Sequence, residues 1–123
     1  MFLAKLLIAS SLFGAAPALA QHAHEPGPNG GRVEEGSGYH IELVTKADRL
    51  DVYITNTAYE PVPATGYSGS AIFVIAGKPA RIALVPAEGN RLTGRSEAPV
   101  AKDAKGAIRL TKPDGTTASI SFH

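Results

Sequence analysis

Apolar and polar residues alternate along much of the chain with a period of two. In residues 39–44, Tyr39, Ile41 and Leu43 share one face, while His40 and Glu42 take the other and point outward. Leu50, Val52 and Ile54 repeat the pattern in residues 49–56. That period marks a strand with one buried face, so the two segments read as a strand pair joined through Thr45-Lys46-Ala47-Asp48. Ala71-Ile72-Phe73-Val74-Ile75 is the most apolar run of the body and reads as a central strand. Gly77-Lys78-Pro79 turns it into residues 81–85, and Glu88-Gly89-Asn90 turns again into a short strand at 91–93. Residues 107–111 and 116–122 form a last hairpin around Lys112-Pro113-Asp114-Gly115. That order suits a type I turn followed by a left-handed glycine.

Between these strands lie segments without a period. Residues 32–37 read as a polar lead-in. Residues 57–69 contain Pro61, Pro63, Gly66 and Gly69 and read as a long connection, as do residues 96–105. No helical period occurs after the first twenty residues. The expectation is an all-β domain over residues 33–123, a small antiparallel immunoglobulin-like sandwich or barrel of about seven short strands.

The start of the chain is of another kind. Lys5 precedes an apolar stretch from Leu6 to Ala16, too short to span a bilayer, and Ala18-Leu19-Ala20 offers small residues for a signal peptidase. Residues 1–20 therefore read as a cleaved signal peptide. No cysteine follows for lipid attachment. The expected location is the bacterial periplasm or the outside of the cell, with no membrane embedding after cleavage. The chain has 123 residues and no Cys, which excludes disulfides and thiolate metal sites. Lys5 is the only basic residue of the leader, so its removal leaves eleven basic against eleven acidic residues. With no basic stripe, nucleic acid is not an expected partner.

Candidate chemistry gathers at the new N-terminus. Residues 21–32 read as a flexible tail rich in His, Pro and Gly, since two prolines and three glycines forbid a helix there. The tail carries His22 and His24. Neutral imidazole is a common ligand for copper, nickel and zinc, and a His-x-His pair beside a free amine suits copper(II). The amine is lost if Gln21 cyclises. His40 is the third candidate ligand, on the outward face of its strand. If Val44 opposes Arg49, His40 faces Tyr53 and Glu42 faces Asp51. Two carboxylates so opposed call for a cation, either Arg49, a lysine or a bound metal ion. His123 is a lone terminal histidine and reads as incidental.

Catalytic motifs are not found. Gly66-Tyr67-Ser68-Gly69-Ser70 approaches a nucleophile elbow, but Ser70 stands where its last glycine belongs and no helix follows. The chain is not expected to be an enzyme.

Gly27-Pro28-Asn29-Gly30-Gly31-Arg32-Val33, followed by Tyr39-His40-Ile41-Glu42-Leu43-Val44, resembles the start of periplasmic adaptor subunits of heavy-metal efflux pumps. Their motif often reads Gly-Pro-His-Gly-Gly before a strand carrying Glu-Leu. The resemblance covers residues 27–44 and lacks the adaptors' helical hairpin and lipoyl-like parts, and Asn29 replaces the motif's His. The chain also looks like small exported proteins associated with such systems. The resemblance implies a metal-handling role beside an efflux system rather than an adaptor. Two functions are thus expected in competition. One is a periplasmic buffer or carrier of copper or another divalent transition metal through His22, His24 and His40. The other is an envelope interaction module without metal, bound through an exposed sheet edge.

Overall fold

The computed structural model describes residues 25–123, and the expected signal peptide, like His22 and His24, lies outside them. Eight strands follow one another: β1 (Arg32–Gly36), β2 (Tyr39–Lys46), β3 (Arg49–Asn56), β4 (Ser68–Ile75), β5 (Lys78–Pro86), β6 (Arg91–Arg95), β7 (Gly106–Thr111) and β8 (Thr117–Phe122). They form one antiparallel sheet in the order β1-β2-β3-β6-β5-β4-β7-β8, and no described residue is helical. The sheet curls into a nearly closed barrel. Its two edges meet where Ser37 Oγ donates to Ser119 O at 3.2 Å and Gly36 lies against Ile120. Arg32 bolts the same seam, donating to the carbonyls of Ala104 and His123 while its guanidinium lies 5.4 Å above the Phe122 ring.

The alternation read from the sequence does what it should. Ile41, Leu43, Leu50, Val52, Ile54, Phe73, Ile82, Ile108, Ile120 and Phe122 are all buried inside the barrel. Phe73 and Phe122 meet there with ring centroids 6.0 Å apart. β4 lies between β5 and β7, as expected of the most apolar run. Yet only one of its faces is covered, and Ile72 and Val74 stand exposed on the other. The last turn also follows its sequence. Gly115 N donates to Lys112 O at 2.9 Å, and Gly115 takes φ 86°.

Three readings are corrected. The polar lead-in is itself a strand, β1, which takes the expected count of about seven to eight. Its pairing needs no apolar alternation, since Arg32 and Gly36 sit at the seam rather than in the core. Ser37 and Gly38 make the two-residue turn into β2 with both φ values positive, the geometry that fits the twist of a hairpin. The turn between β4 and β5 is likewise two residues, Ala76 and Gly77, so Lys78 and Pro79 belong to β5. Finally, the β2–β3 turn is only Ala47-Asp48, with Ala47 at φ 50°. Lys46 therefore opposes Arg49, Val44 opposes Asp51, Glu42 opposes Tyr53 and His40 opposes Thr55. Glu42 and Asp51 never face one another.

Each of those two buried acids has its own solution. Asp51 accepts from Arg91 Nη1 at 3.2 Å and Thr93 Oγ1 at 2.9 Å, and Arg49 Nη2 lies 3.2 Å away. Two cations on one carboxylate leave no call for a metal ion there. Elsewhere, Tyr39 and Tyr67 share a hydroxyl–hydroxyl contact of 3.1 Å. That bond first, and burial second, push the Tyr67 phenol up to about 12.

Candidate metal cleft

The site begins with a turn in front of β1. Gly30 N donates to Gly27 O and Gly27 N to Gly31 O, which folds residues 27–31 into a tight ring. The ring presents three donors to one carboxylate. Asn29 N and Gly31 N reach Glu42 Oε2 at 2.9 and 2.8 Å, and Asn29 Nδ2 reaches Oε1 at 2.9 Å. Glu42 is buried, and a buried carboxylate needs such a cradle of N–H groups. Glycine is required on both flanks. A Cβ on Gly27 would stand 2.4 Å from Glu42 Cδ, and one on Gly31 would stand 2.4 Å from Leu43 O. The stretch read as a loose tail through Arg32 is thus held against β2 from Gly27 onward. The two ends of the segment that resembles the adaptors are one hydrogen-bonded unit, and position 29 serves Glu42.

Beside Glu42 on the outer face of β2 lies His40. Strand alternation places it outside the core, as expected, but it does not face solvent: it is 8 % exposed. The Tyr59 ring covers it in a parallel stack, 3.9 Å between centroids and 11° between planes. Tyr59 is brought there by the loop after β3. Asn56 Oδ1 accepts from Ala58 N and Glu60 N, and Tyr59 takes the left-handed φ of 60°. Asn56 O accepts both Tyr59 N and His40 Nδ1, at 3.0 and 3.1 Å. A carbonyl can only accept, so Nδ1 of His40 carries a proton. Its Nε2 then points away from the strand pair to Glu35 Oε2, 3.5 Å distant on β1.

His40, Glu35 and Tyr59 line a cleft of about 670 Å³ together with Glu25, Tyr53 and Glu42. Its charged side chains are all carboxylates, with no lysine or arginine among them, and its field favours a cation. Among the described residues, no three His, Asp or Glu side chains converge into a complete metal cage. Of the histidines singled out from sequence, His40 is in the cleft. His22 and His24 lie outside the described residues, but Glu25, which lines the cleft, is the residue bonded to His24. His123 stands at the seam instead, its carbonyl held by Arg32. Sequence reasoning missed Glu35, Tyr59 and the Asn29–Glu42 clasp. Glu35 had a signal: once Ser37-Gly38 is taken as a two-residue turn, Glu35 falls directly opposite His40. Tyr59 had none, since a loop ring finds its partner only through the folded chain.

Comparison of the chain with protein-family models, with curated proteins and with solved structures gives no match.

Proposed function

We propose that the protein is an exported, non-catalytic carrier or buffer of a divalent transition metal, copper(II) foremost, associated with a heavy-metal efflux system. One observation carries this reading: His40 commits Nδ1–H to a backbone carbonyl and turns Nε2 toward the Glu35 carboxylate, in a cleft that also holds the residue following His24. Metal-ligating histidines are held in this way, with the other ring nitrogen donating to a carbonyl or carboxylate. Imidazole and carboxylate together suit copper(II), nickel(II) and zinc(II). Two ligands hold a transition ion weakly, and the tail supplies the rest. His24 is one residue from Glu25 and His22 three residues away, a span of at most about 11 Å of extended chain. In this reading His40 and Glu35 are the fixed half of the site, and His22 and His24 are the half that closes on the ion. Titration of the cleaved chain with copper(II), followed by calorimetry and electron paramagnetic resonance, tests it. One ion per chain with nitrogen hyperfine coupling is expected. Absence of binding to copper, nickel and zinc alike sinks it.

The second reading, an envelope interaction module without metal, is favoured by one feature. Val74 and Val85 are more than half exposed on the outer face, and Ile72 lies beside Val74 on β4. Strand addition at a free edge is the weaker form of it, because β1 and β8 lie against each other. The titration above separates the two.

A further inference from the structure

We propose a second, independent binding site, for an oxyanion of the phosphate class, on the outer face of β4 where it runs between β5 and β7. Ser70 of β4 opposes Ala83 on β5 and Arg109 on β7, and Ile72, two residues on, opposes Arg81. Residues two apart on a strand share a face, so Ser70, Arg81 and Arg109 all stand on the face opposite Ala71 and Phe73 in the core. They line a cleft of about 380 Å³ with Ser68 and Thr111.

Two facts set this cleft apart from ordinary surface. The first is Ser70. It is 7 % exposed, and among the described residues its hydroxyl has no hydrogen-bond partner. A serine so enclosed usually spends its hydroxyl on a protein group. Its oxygen is not sealed off either, since Arg49 Nε is the only side-chain atom in the described residues that is both sealed and unpaired. The hydroxyl therefore opens into the cleft. The second is the pair of guanidiniums. Arg49, Arg91 and Arg95 each have an aspartate, and Arg32 is spent on carbonyls. Arg81 and Arg109 have neither among the described residues. No acidic residue lines the cleft. Ala83 opposite Ser70 leaves room above the hydroxyl.

Donor count and charge name the ligand class. Two forked guanidiniums and the hydroxyls of Ser68, Ser70 and Thr111 offer more donors than the two oxygens of a carboxylate can use. A phosphate group presents three or four oxygens and up to two negative charges, and guanidinium forks match its geometry. The group can arrive as the free ion or as the headgroup of an anionic phospholipid.

The test uses the cleaved chain with two probes, inorganic phosphate and vesicles of phosphatidylglycerol. Phosphate should shift amide resonances of β4, β5 and β7 in a saturable way and leave the His40 cleft unmoved. Arg81→Ala and Arg109→Ala should each weaken binding at least about tenfold, the loss expected for charge-assisted bonds. Ser70→Ala should weaken binding while leaving the melting temperature unchanged, because it removes a hydroxyl that opens into the cleft and bonds no protein group. Vesicle binding competed by free phosphate assigns the lipid headgroup, whereas phosphate binding without vesicle binding assigns the free ion. The proposal is overturned if neither probe binds, or if the shifts fall elsewhere. It is also overturned if the charge-preserving pair Arg81→Lys and Arg109→Lys binds as tightly as the parent, since diffuse charge would then account for binding.

Discussion

Asn29 holds Glu42 with two donors, its backbone N–H on Oε2 and its side-chain amide on Oε1, each at 2.9 Å. Thirteen residues separate them, and the bonds turn a proline- and glycine-rich leader into a wall of the His40 cleft. The clasp makes a graded prediction. Glu42→Ala removes the acceptor for three N–H groups and should cost about 1–3 kcal/mol, near the lower end if the freed loop reaches water. Asn29→Ala keeps the backbone bond and should cost less. Gly27→Ala drives a methyl into the carboxylate and should approach the cost of Glu42→Ala. Asn29→His keeps an N–H donor at the position where the adaptor motif has His, and should be the mildest of the four. Urea unfolding of each variant checks the order. Equal stability of parent and Glu42→Ala would mean the clasp carries nothing.

Asp51 and Asp48 separate a buried ion pair from an exposed one. Asp51 has a 3 % exposed side chain between Arg49, Arg91 and Thr93. Asp51→Asn should destabilise the fold by about 2 kcal/mol, less than for a fully buried pair because both arginines are partly hydrated and can recover water. Arg95 and Asp48, 3.6 Å apart, are 77 % and 54 % exposed. Arg95→Ala should change stability by less than about 0.5 kcal/mol. Thermal unfolding of the two variants, compared at moderate salt, decides.

The body of this fold was legible because its inward residues are apolar and its turns are short. What failed to show were elements whose reason lies across space. β1 has no apolar inward face of its own, since Arg32, Glu34 and Gly36 oppose Leu43, Ile41 and Tyr39, and Arg32 has its partners on a seam that exists only once β8 arrives. The β2–β3 register slipped by two because Ala47 takes a left-handed φ, a position where a turn-former such as glycine would have announced the two-residue turn. His40 was read correctly as lying on the outer face and incorrectly as open to water, because its cover comes from Tyr59, nineteen residues later. The motif at 27–31 carries a resemblance in its sequence, yet its physical purpose, a cradle for Glu42, shows only when both ends are paired.

The Tyr39–Tyr67 contact predicts behaviour in alkali. In the folded chain the Tyr67 phenol is pushed up to about 12 from its ordinary 10.0. For an acid whose folded value is raised, the native state binds more protons between the two values, so stability falls as pH rises through that window. The contribution is intact below about pH 10 and lost by about pH 12. Tyr39→Phe removes the largest cause of the shift and should bring Tyr67 back toward 10.0. The phenolate absorbance of parent and variant, followed against pH, measures it. An unchanged alkaline titration in Tyr39→Phe would place the cause in burial alone.

The metal reading divides its ligands between the folded strands and the tail, and variants can tell them apart. His22→Ala with His24→Ala should remove most copper(II) binding and leave the described fold intact, since the described strands begin only at Arg32. His40→Ala should weaken binding and also cost some stability, because the Tyr59 stack and the bond to Asn56 O go with it. Offset or stacked ring pairs contribute about 0.5–1.5 kcal/mol. Glu35→Gln separates the two effects: its side chain is 64 % exposed, so stability should hold while copper affinity falls. A carboxylate lost from an open site should show as a several-fold weaker constant and an altered resonance spectrum. Protons compete for the tail imidazoles, so copper should leave as pH drops through about 6.5, the ordinary value for that group. If the tail variant loses copper while Glu35→Gln and His40→Ala bind as the parent does, the tail alone holds the ion.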